Sequence, residues 1–149
     1  EIVESVIASL APLASDSGVV IERDFGDAPV EARGDRDELF QVFENLVENA
    51  CKYGQTGGKV TVSIRRMMTV PGPEIEVTVR DYGPGIPQEH ISRVTERFYR
   101  VDVETSRTHK GTGLGLAIVK HILTRHNGRL SIKSELGRGA AFTVHLPAA

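Results

Sequence analysis

Apolar positions recur along this chain with two different periods, and the boundaries between them divide it into elements. From Asp35 to Tyr53 the run D-R-D-E-L-F-Q-V-F-E-N-L-V-E-N-A-C-K-Y places Leu39, Phe43, Leu46, Val47 and Ala50 at i, i+4, i+7, i+8 and i+11. That is the spacing of one buried helical stripe. Asp35 and Glu38 read as a capping box, in which Asp35 accepts from the Glu38 amide while the Glu38 side chain reaches back. A second helical repeat runs from Gly113 to His126, with Leu114, Ala117, Ile118, Ile122 and Leu123 inward. A third occupies residues 1–10, with apolar residues at 2, 3, 6, 7 and 10, and Pro12 disturbs it. Lys59–Arg66 and Glu74–Arg80 instead alternate with a period of two and are joined through Pro71-Gly72-Pro73. They predict a hairpin of half-buried strands. Further strands are expected at Val19–Phe25, Val30–Arg33, Arg129–Ser134 and Ala141–Leu146. This order of elements predicts an α/β (α+β) two-layer sandwich, with helices on one face of a mixed sheet. Residues 81–113 hold little regular pattern, which is long for a connection and signals function.

The Asp35–Tyr53 helix carries a second, polar stripe. Gln41, Asn45 and Asn49 are four apart and Lys52 follows three later, so amides and an amine share one face. Asparagine competes with the helix backbone for hydrogen bonds. Two of them mid-helix therefore fit either a solvated surface or a ligand wall. Composition narrows the partners: a net charge of −2 over 149 residues offers no basic footprint for nucleic acid. The single cysteine, Cys51, excludes an internal disulfide framework and reads as a small packing residue. No apolar run approaches the ~18–20 residues needed to cross a bilayer. The chain begins at Glu1, so it is expected to be a piece of a longer protein.

Two glycine-rich stretches supply the chemistry. Asp81-Tyr82-Gly83-Pro84-Gly85-Ile86 ends an alternating strand, offering a carboxylate acceptor beside backbone that a ligand can approach closely. In His109-Lys110-Gly111-Thr112-Gly113-Leu114-Gly115-Leu116, three alternating glycines lead into a helix and present free amides at its positive end to phosphate. This is neither a dinucleotide fingerprint, which needs glycine where Leu116 stands, nor a Walker A loop. With amide oxygens such as that of Asn49, which suit a hard cation shared with phosphates, the set describes an ATP–Mg²⁺ site without a P-loop.

At these residues the chain resembles the catalytic and ATP-binding domain of bacterial sensor histidine kinases, within the group that includes gyrase, Hsp90 and MutL. Five boxes stand in that family's order: Asn45–Tyr53, Asp81–Ile86, Glu96-Arg97-Phe98-Tyr99-Arg100-Val101-Asp102, Gly111–Leu116, and Gly137-Arg138-Gly139 before Phe142. The T-E-R-F-Y-R-V-D run is most similar to that of phosphate-regulon sensor kinases. The resemblance implies a Bergerat fold: a largely antiparallel five-stranded sheet, about three helices on one face, and a long mobile ATP lid. It implies that residues 1–12 end a helix from a preceding dimerisation hairpin and that 13–149 form the ATP-binding domain. Asn49 would hold Mg²⁺, Asn45 would assist near the phosphates, Lys52 would contact phosphate and Tyr53 would pack on adenine or ribose. Asp81 would accept from the adenine amino group, Gly83 and Gly85 would make room for the base, and Ile86 would line it. Phe98 would anchor the lid, Tyr99 would contact the nucleotide and Arg100 would reach the γ-phosphate. Lys110 and the amides of Gly111, Thr112, Gly113, Leu114, Gly115 and Leu116 would hold the phosphate chain, and Thr143 would reach adenine through water.

Hydrolysing relatives place a Glu, which activates water, where this chain has Asn45. An amide cannot act as that base, and Glu44 and Glu48 lie ~100° around the helix from Asn45 and Asn49. The resemblance therefore implies a protein-histidine kinase that passes the γ-phosphoryl of ATP to a His on a separate dimerisation hairpin, then to a response-regulator Asp. The parent would be a homodimeric, membrane-anchored sensor with this part in the cytoplasm. His90, His109, His121, His126 and His145 lie inside or after the ATP boxes, so none is expected to be the acceptor. A clamp-type ATPase and a catalytically silent nucleotide-binding scaffold are the alternatives.

Overall fold

The computed structural model describes residues 2–25, 32, 34–53, 57–69, 72–85 and 115–148. The described elements are α1 (Ile2–Ser17), β1 (Val20–Asp24), α2 (Arg36–Tyr53), β2 (Lys59–Met68), β3 (Pro73–Asp81), α3 (Gly115–Arg125), β4 (Arg129–Glu135) and β5 (Gly139–Pro147). The strands form one sheet in the order β1-β2-β3-β5-β4. β1 pairs parallel to β2 and all other neighbours are antiparallel, so the sheet is mixed and largely antiparallel as expected. Of the strand expected at Val30–Arg33, only Ala32 is described, and it bridges antiparallel to Ala148.

Alternation along the strands separates the two faces of the sheet. Val60 and Val62 of β2, Ile75, Val77 and Val79 of β3, and Val144 and Leu146 of β5 are buried on one face. The three helices close over them and supply the rest of the core. The other face carries Thr61, Ser63, Thr78, Thr143, Ser131 and His145, aligned across the strands by the register.

α1 contributes Val3, Val6, Ile7, Leu10 and Ala14 to the core and packs on α2. It continues through Pro12, correcting the break expected there. Pro12 and Ala8, whose carbonyl loses a partner, are both on the exposed side, so water takes the freed bond. The helix ends three residues after Ala14 in a Schellman motif. The Val19 amide donates to Ala14 O (2.9 Å) and the Gly18 amide to Ser15 O (3.1 Å), with Gly18 at φ +71°. α3 ends the same way around Asn127 at φ 57°, with the Gly128 amide donating to Leu123 O at 2.8 Å.

All five apolar residues expected inward on α2 are buried, and Val42 and Cys51 join them. On α3 the phase differs. Ile122 and Leu123 are buried as expected, but Val119 is buried where Ile118, 36% exposed, was expected, so the stripe departs by one residue at that turn. The capping box is only half formed. The Glu38 amide does donate to Asp35 Oδ1 (3.0 Å), but the Glu38 carboxylate takes Arg125 Nη1 at 2.7 Å. The Asp35 amide instead donates to His126 Nε2 (3.0 Å), whose Nδ1 stands 2.8 Å from Ile122 O. One tautomer satisfies both contacts, with the proton on Nδ1 and the lone pair on Nε2. Two residues at the end of α3 thus fix the start of α2.

Candidate functional site

α2 lies over β2 and β3 and turns its polar stripe away from the core. Gln41 is exposed, and Asn45, Asn49 and Lys52 are half-buried along one side. Among the described residues neither asparagine amide makes a side-chain hydrogen bond. Lys52 Nζ is held 2.7 Å from Glu48 Oε1, an i,i+4 pair that neutralises the nearest carboxylate on the helix. Glu48 is therefore engaged with an amine and does not stand free as a base. Tyr53 is the last residue of α2.

Asp81 ends β3 on the helix-covered face, in line with Val77 and Val79, and is 7% exposed. Its Oδ1 accepts from the Gly83 amide at 3.0 Å, and the Ala140 amide also donates to the carboxylate. Burial raises its pKa above the ordinary carboxylate value, and these two amides together with Arg80 only partly offset that. A buried carboxylate in this state gains from any further donor. An exocyclic amino group supplies one.

The turn after Asp81 is docked against the β4–β5 turn through glycines. The Gly137 amide donates to Pro84 O (2.9 Å). A Cβ on Gly85, which has φ +81°, would stand 2.6 Å from Glu135 O, and one on Gly139, at φ +95°, would overlap the Asp81 carbonyl. The space at the missing Cβ of Gly85 is thus filled by the Glu135 backbone. Gly139 and Ala140 hold Asp81 in place, a role sequence reasoning missed. The G-x-G spacing before a strand was its only signal. Tyr82 faces the other side of the sheet, with its hydroxyl 3.0 Å from Thr61 Oγ1 and its ring between Lys59 and Arg80.

Thr143 does not join this group. It pairs with Thr78, their hydroxyls 3.0 Å apart, on the face opposite Asp81. The alternation of β5 decides this, since Phe142 and Val144 are the residues opposite Val79 and Val77. Leu116 packs its side chain against the core, leaving only its amide for phosphate, and Gly115 opens α3. The expectations for Ile86, Phe98, Tyr99, Arg100, Lys110, Gly111, Thr112, Gly113 and Leu114, and for the Tyr53 side chain, lie outside the described residues.

The described residues thus bring together an amide-bearing helix face, a buried strand-end carboxylate and a helix opened by Gly115. A sequence model of the histidine kinase-, DNA gyrase B- and HSP90-like ATPases matches residues 34–149. The chain belongs to this ATPase family. It is 45% identical over 123 residues to the sensor-like histidine kinase SenX3 of Mycolicibacterium smegmatis, covering 81% of this chain and 31% of that protein. It is 46% identical over 116 residues to the phosphate regulon sensor protein PhoR of Pseudomonas aeruginosa, covering 78% of this chain and 25% of PhoR. The crystal structure of full-length ShkA in complex with AMPPNP superposes with a TM-score of 0.83 at 28% identity, over 99% of this chain and 29% of ShkA. The chain thus spans under a third of the length of these relatives. The expectation of a sensor histidine kinase catalytic domain agrees with these matches, one of which is a phosphate regulon sensor protein.

Proposed function

We propose that this chain is the ATP–Mg²⁺-binding catalytic domain of a sensor histidine kinase. It transfers the γ-phosphoryl of ATP to a histidine on a separate dimerisation hairpin, for onward transfer to an aspartate of a response regulator. The observation that carries this reading is the polar face of α2. An amide, Asn45, occupies the position one turn before Asn49, and Glu48 is tied to Lys52 at 2.7 Å. Activating water for attack on a phosphoryl group needs a carboxylate or imidazole base, and this face presents none. ATP is held intact for a better nucleophile.

The half-exposed Asn49 amide oxygen is a hard donor suited to Mg²⁺, which binds through few protein oxygens and shares the substrate's phosphates. When bound, Mg²⁺ neutralises charge developing on the phosphate chain. Asn45 assists beside it. Lys52 exchanges Glu48 for phosphate, one anionic partner for another. Asp81 accepts from the adenine amino group, and its burial makes that donor worth more than it would be in water. The 111–116 amides hold the phosphate chain, with Lys110 beside them. Tyr53 and Ile86 line the base, and Phe98, Tyr99 and Arg100 belong to the lid, Arg100 reaching the γ-phosphate. The domain's contribution is positioning and charge stabilisation. The parent acts as a homodimer with this part in the cytoplasm. The test is γ-labelled ATP with Mg²⁺ and a separately made acceptor hairpin. Acid-labile phosphohistidine on the hairpin supports the proposal. Rapid release of inorganic phosphate without transfer favours a clamp-type ATPase, and tight ATP binding with neither outcome favours a silent scaffold.

A further inference from the structure

The sheet face turned away from the helices carries a cluster that nucleotide binding does not use. β3 places Glu74 and Glu76 two residues apart on this face, and the register sets His145 of β5 directly opposite Glu76. His145 is 8% exposed. Its Nε2 is 2.9 Å from Ser131 Oγ on β4, while its Nδ1 is buried with no hydrogen-bond partner among the described residues. That nitrogen points between two carboxylates, 3.4 Å from Glu76 Oε1 and 3.7 Å from Glu74 Oε1. Both separations are too long for a good N–H···O bond. With Nε2–H donating to Ser131, the Nδ1 lone pair faces two anionic oxygens, an arrangement that a cation bound between them satisfies.

We propose that Glu74, Glu76 and His145 form a binding site for a first-row transition-metal dication of the Zn²⁺ type. Donors ~2.0–2.2 Å from a tetrahedral centre stand about 3.4 Å from one another, close to the two distances seen. The three donor atoms all lie within 4.8 Å of one another, so small rotations of the two glutamates close the set. One imidazole and two carboxylates favour Zn²⁺ over Mg²⁺ or Ca²⁺, which take oxygen ligands alone. The surroundings match the outer shell of such sites. Ser131 engages the far ring nitrogen, and its hydroxyl can accept from Nε2–H when Nδ1 binds the metal. Arg129, opposite His145 on β4, donates to Glu74 Oε2 at 2.7 Å and less closely to Oε1 at 3.3 Å, which orients the carboxylate and leaves Oε1 a second lone pair for the metal. Two strands, β3 and β5, carry the ligands and β4 supports them, giving a site on rigid elements that is independent of the nucleotide.

The test is calorimetric titration of ZnCl₂ into the chain, with Co²⁺ absorption reporting coordination geometry. Glu76→Gln and His145→Gln are compared with His121→Gln, an exposed residue of α3. The expected result is one saturable Zn²⁺ per chain, a rise in melting temperature with Zn²⁺ but not Mg²⁺, and affinity at least about 10-fold weaker in Glu76→Gln and His145→Gln only. The half-exposed Glu76→Gln decides alone if His145→Gln does not fold. No saturable Zn²⁺ binding, or binding unchanged in Glu76→Gln, overturns the proposal.

Discussion

Gly137 and Gly139 offer a matched pair of substitutions that separates backbone strain from coupling to the site. Both have positive φ, +82° and +95°, so an alanine at either incurs the left-handed penalty of about 1–2 kcal/mol. They differ in what the new methyl meets. Nothing lies within 4 Å of a Cβ at Gly137, whereas at Gly139 it overlaps the Asp81 carbonyl and stands 2.9 Å from Tyr82 Cα. Gly139→Ala therefore adds an overpacking cost of about 1–3 kcal/mol and pushes on the backbone that carries the buried carboxylate. At roughly 2–4 °C per kcal/mol for a chain of this size, thermal unfolding should show a modest fall for Gly137→Ala and a clearly larger one for Gly139→Ala. Titration with an ATP analogue and Mg²⁺ supplies the second readout. Gly137→Ala should keep near wild-type affinity, while Gly139→Ala should lose about 10-fold or more, the equivalent of ~1.4 kcal/mol. Equal effects of the two variants on both readouts would refute the claim that the β4–β5 turn positions Asp81.

Further expectations follow from burial and from α2. Val119→Ala should cost about 2 kcal/mol in chemical denaturation while Ile118→Ala costs a few tenths, since only the first is buried; the reverse order would restore the phase expected from sequence. Cys51 has its thiol pushed up to about 11, chiefly by burial and secondarily by Glu48. At pH 8 its thiolate fraction is then about 100-fold below that of the unfolded chain, so alkylation should track unfolding. Because the folded value is the raised one, this group's stabilising contribution is present below about pH 9 and lost as pH rises through about 11. Rapid native-state alkylation at pH 8 would contradict that burial. Asn49→Ala should leave the melting temperature unchanged or slightly raised, alanine being the better helix former. Its Mg²⁺-dependent ATP affinity should nonetheless fall by about 10-fold or more; unchanged affinity would remove the metal from Asn49.

What sequence could reveal followed the range of the interaction. The α2 stripe and the strand alternations depend on residues a few positions apart, and these appear as expected. The β3 acceptor was legible because a charged residue closed an alternating apolar run. The other half of the capping box was not, because Glu38 finds Arg125 and Asp35 finds His126 some ninety residues along the chain. Local spacing equally permitted two phases for α3, and packing of Val119 chose between them. The resemblance implies a water-mediated adenine contact for Thr143, yet a one-residue step along a strand changes face, and the register puts it beside Thr78. At Gly85 the missing Cβ admits the Glu135 carbonyl, a contact across some fifty residues that no local spacing announces.

The central claim is that the buried carboxylate at the end of β3 reads the base of an ATP lying along the α2 amides. Calorimetric titration of ATP and GTP, each with Mg²⁺, into wild type and Asp81→Asn tests it most directly. Wild type should bind ATP in clear preference to GTP, and the substitution should lower ATP affinity while leaving GTP affinity nearly unchanged. Equal affinities for the two nucleotides in wild type, or equal losses in the variant, would contradict it.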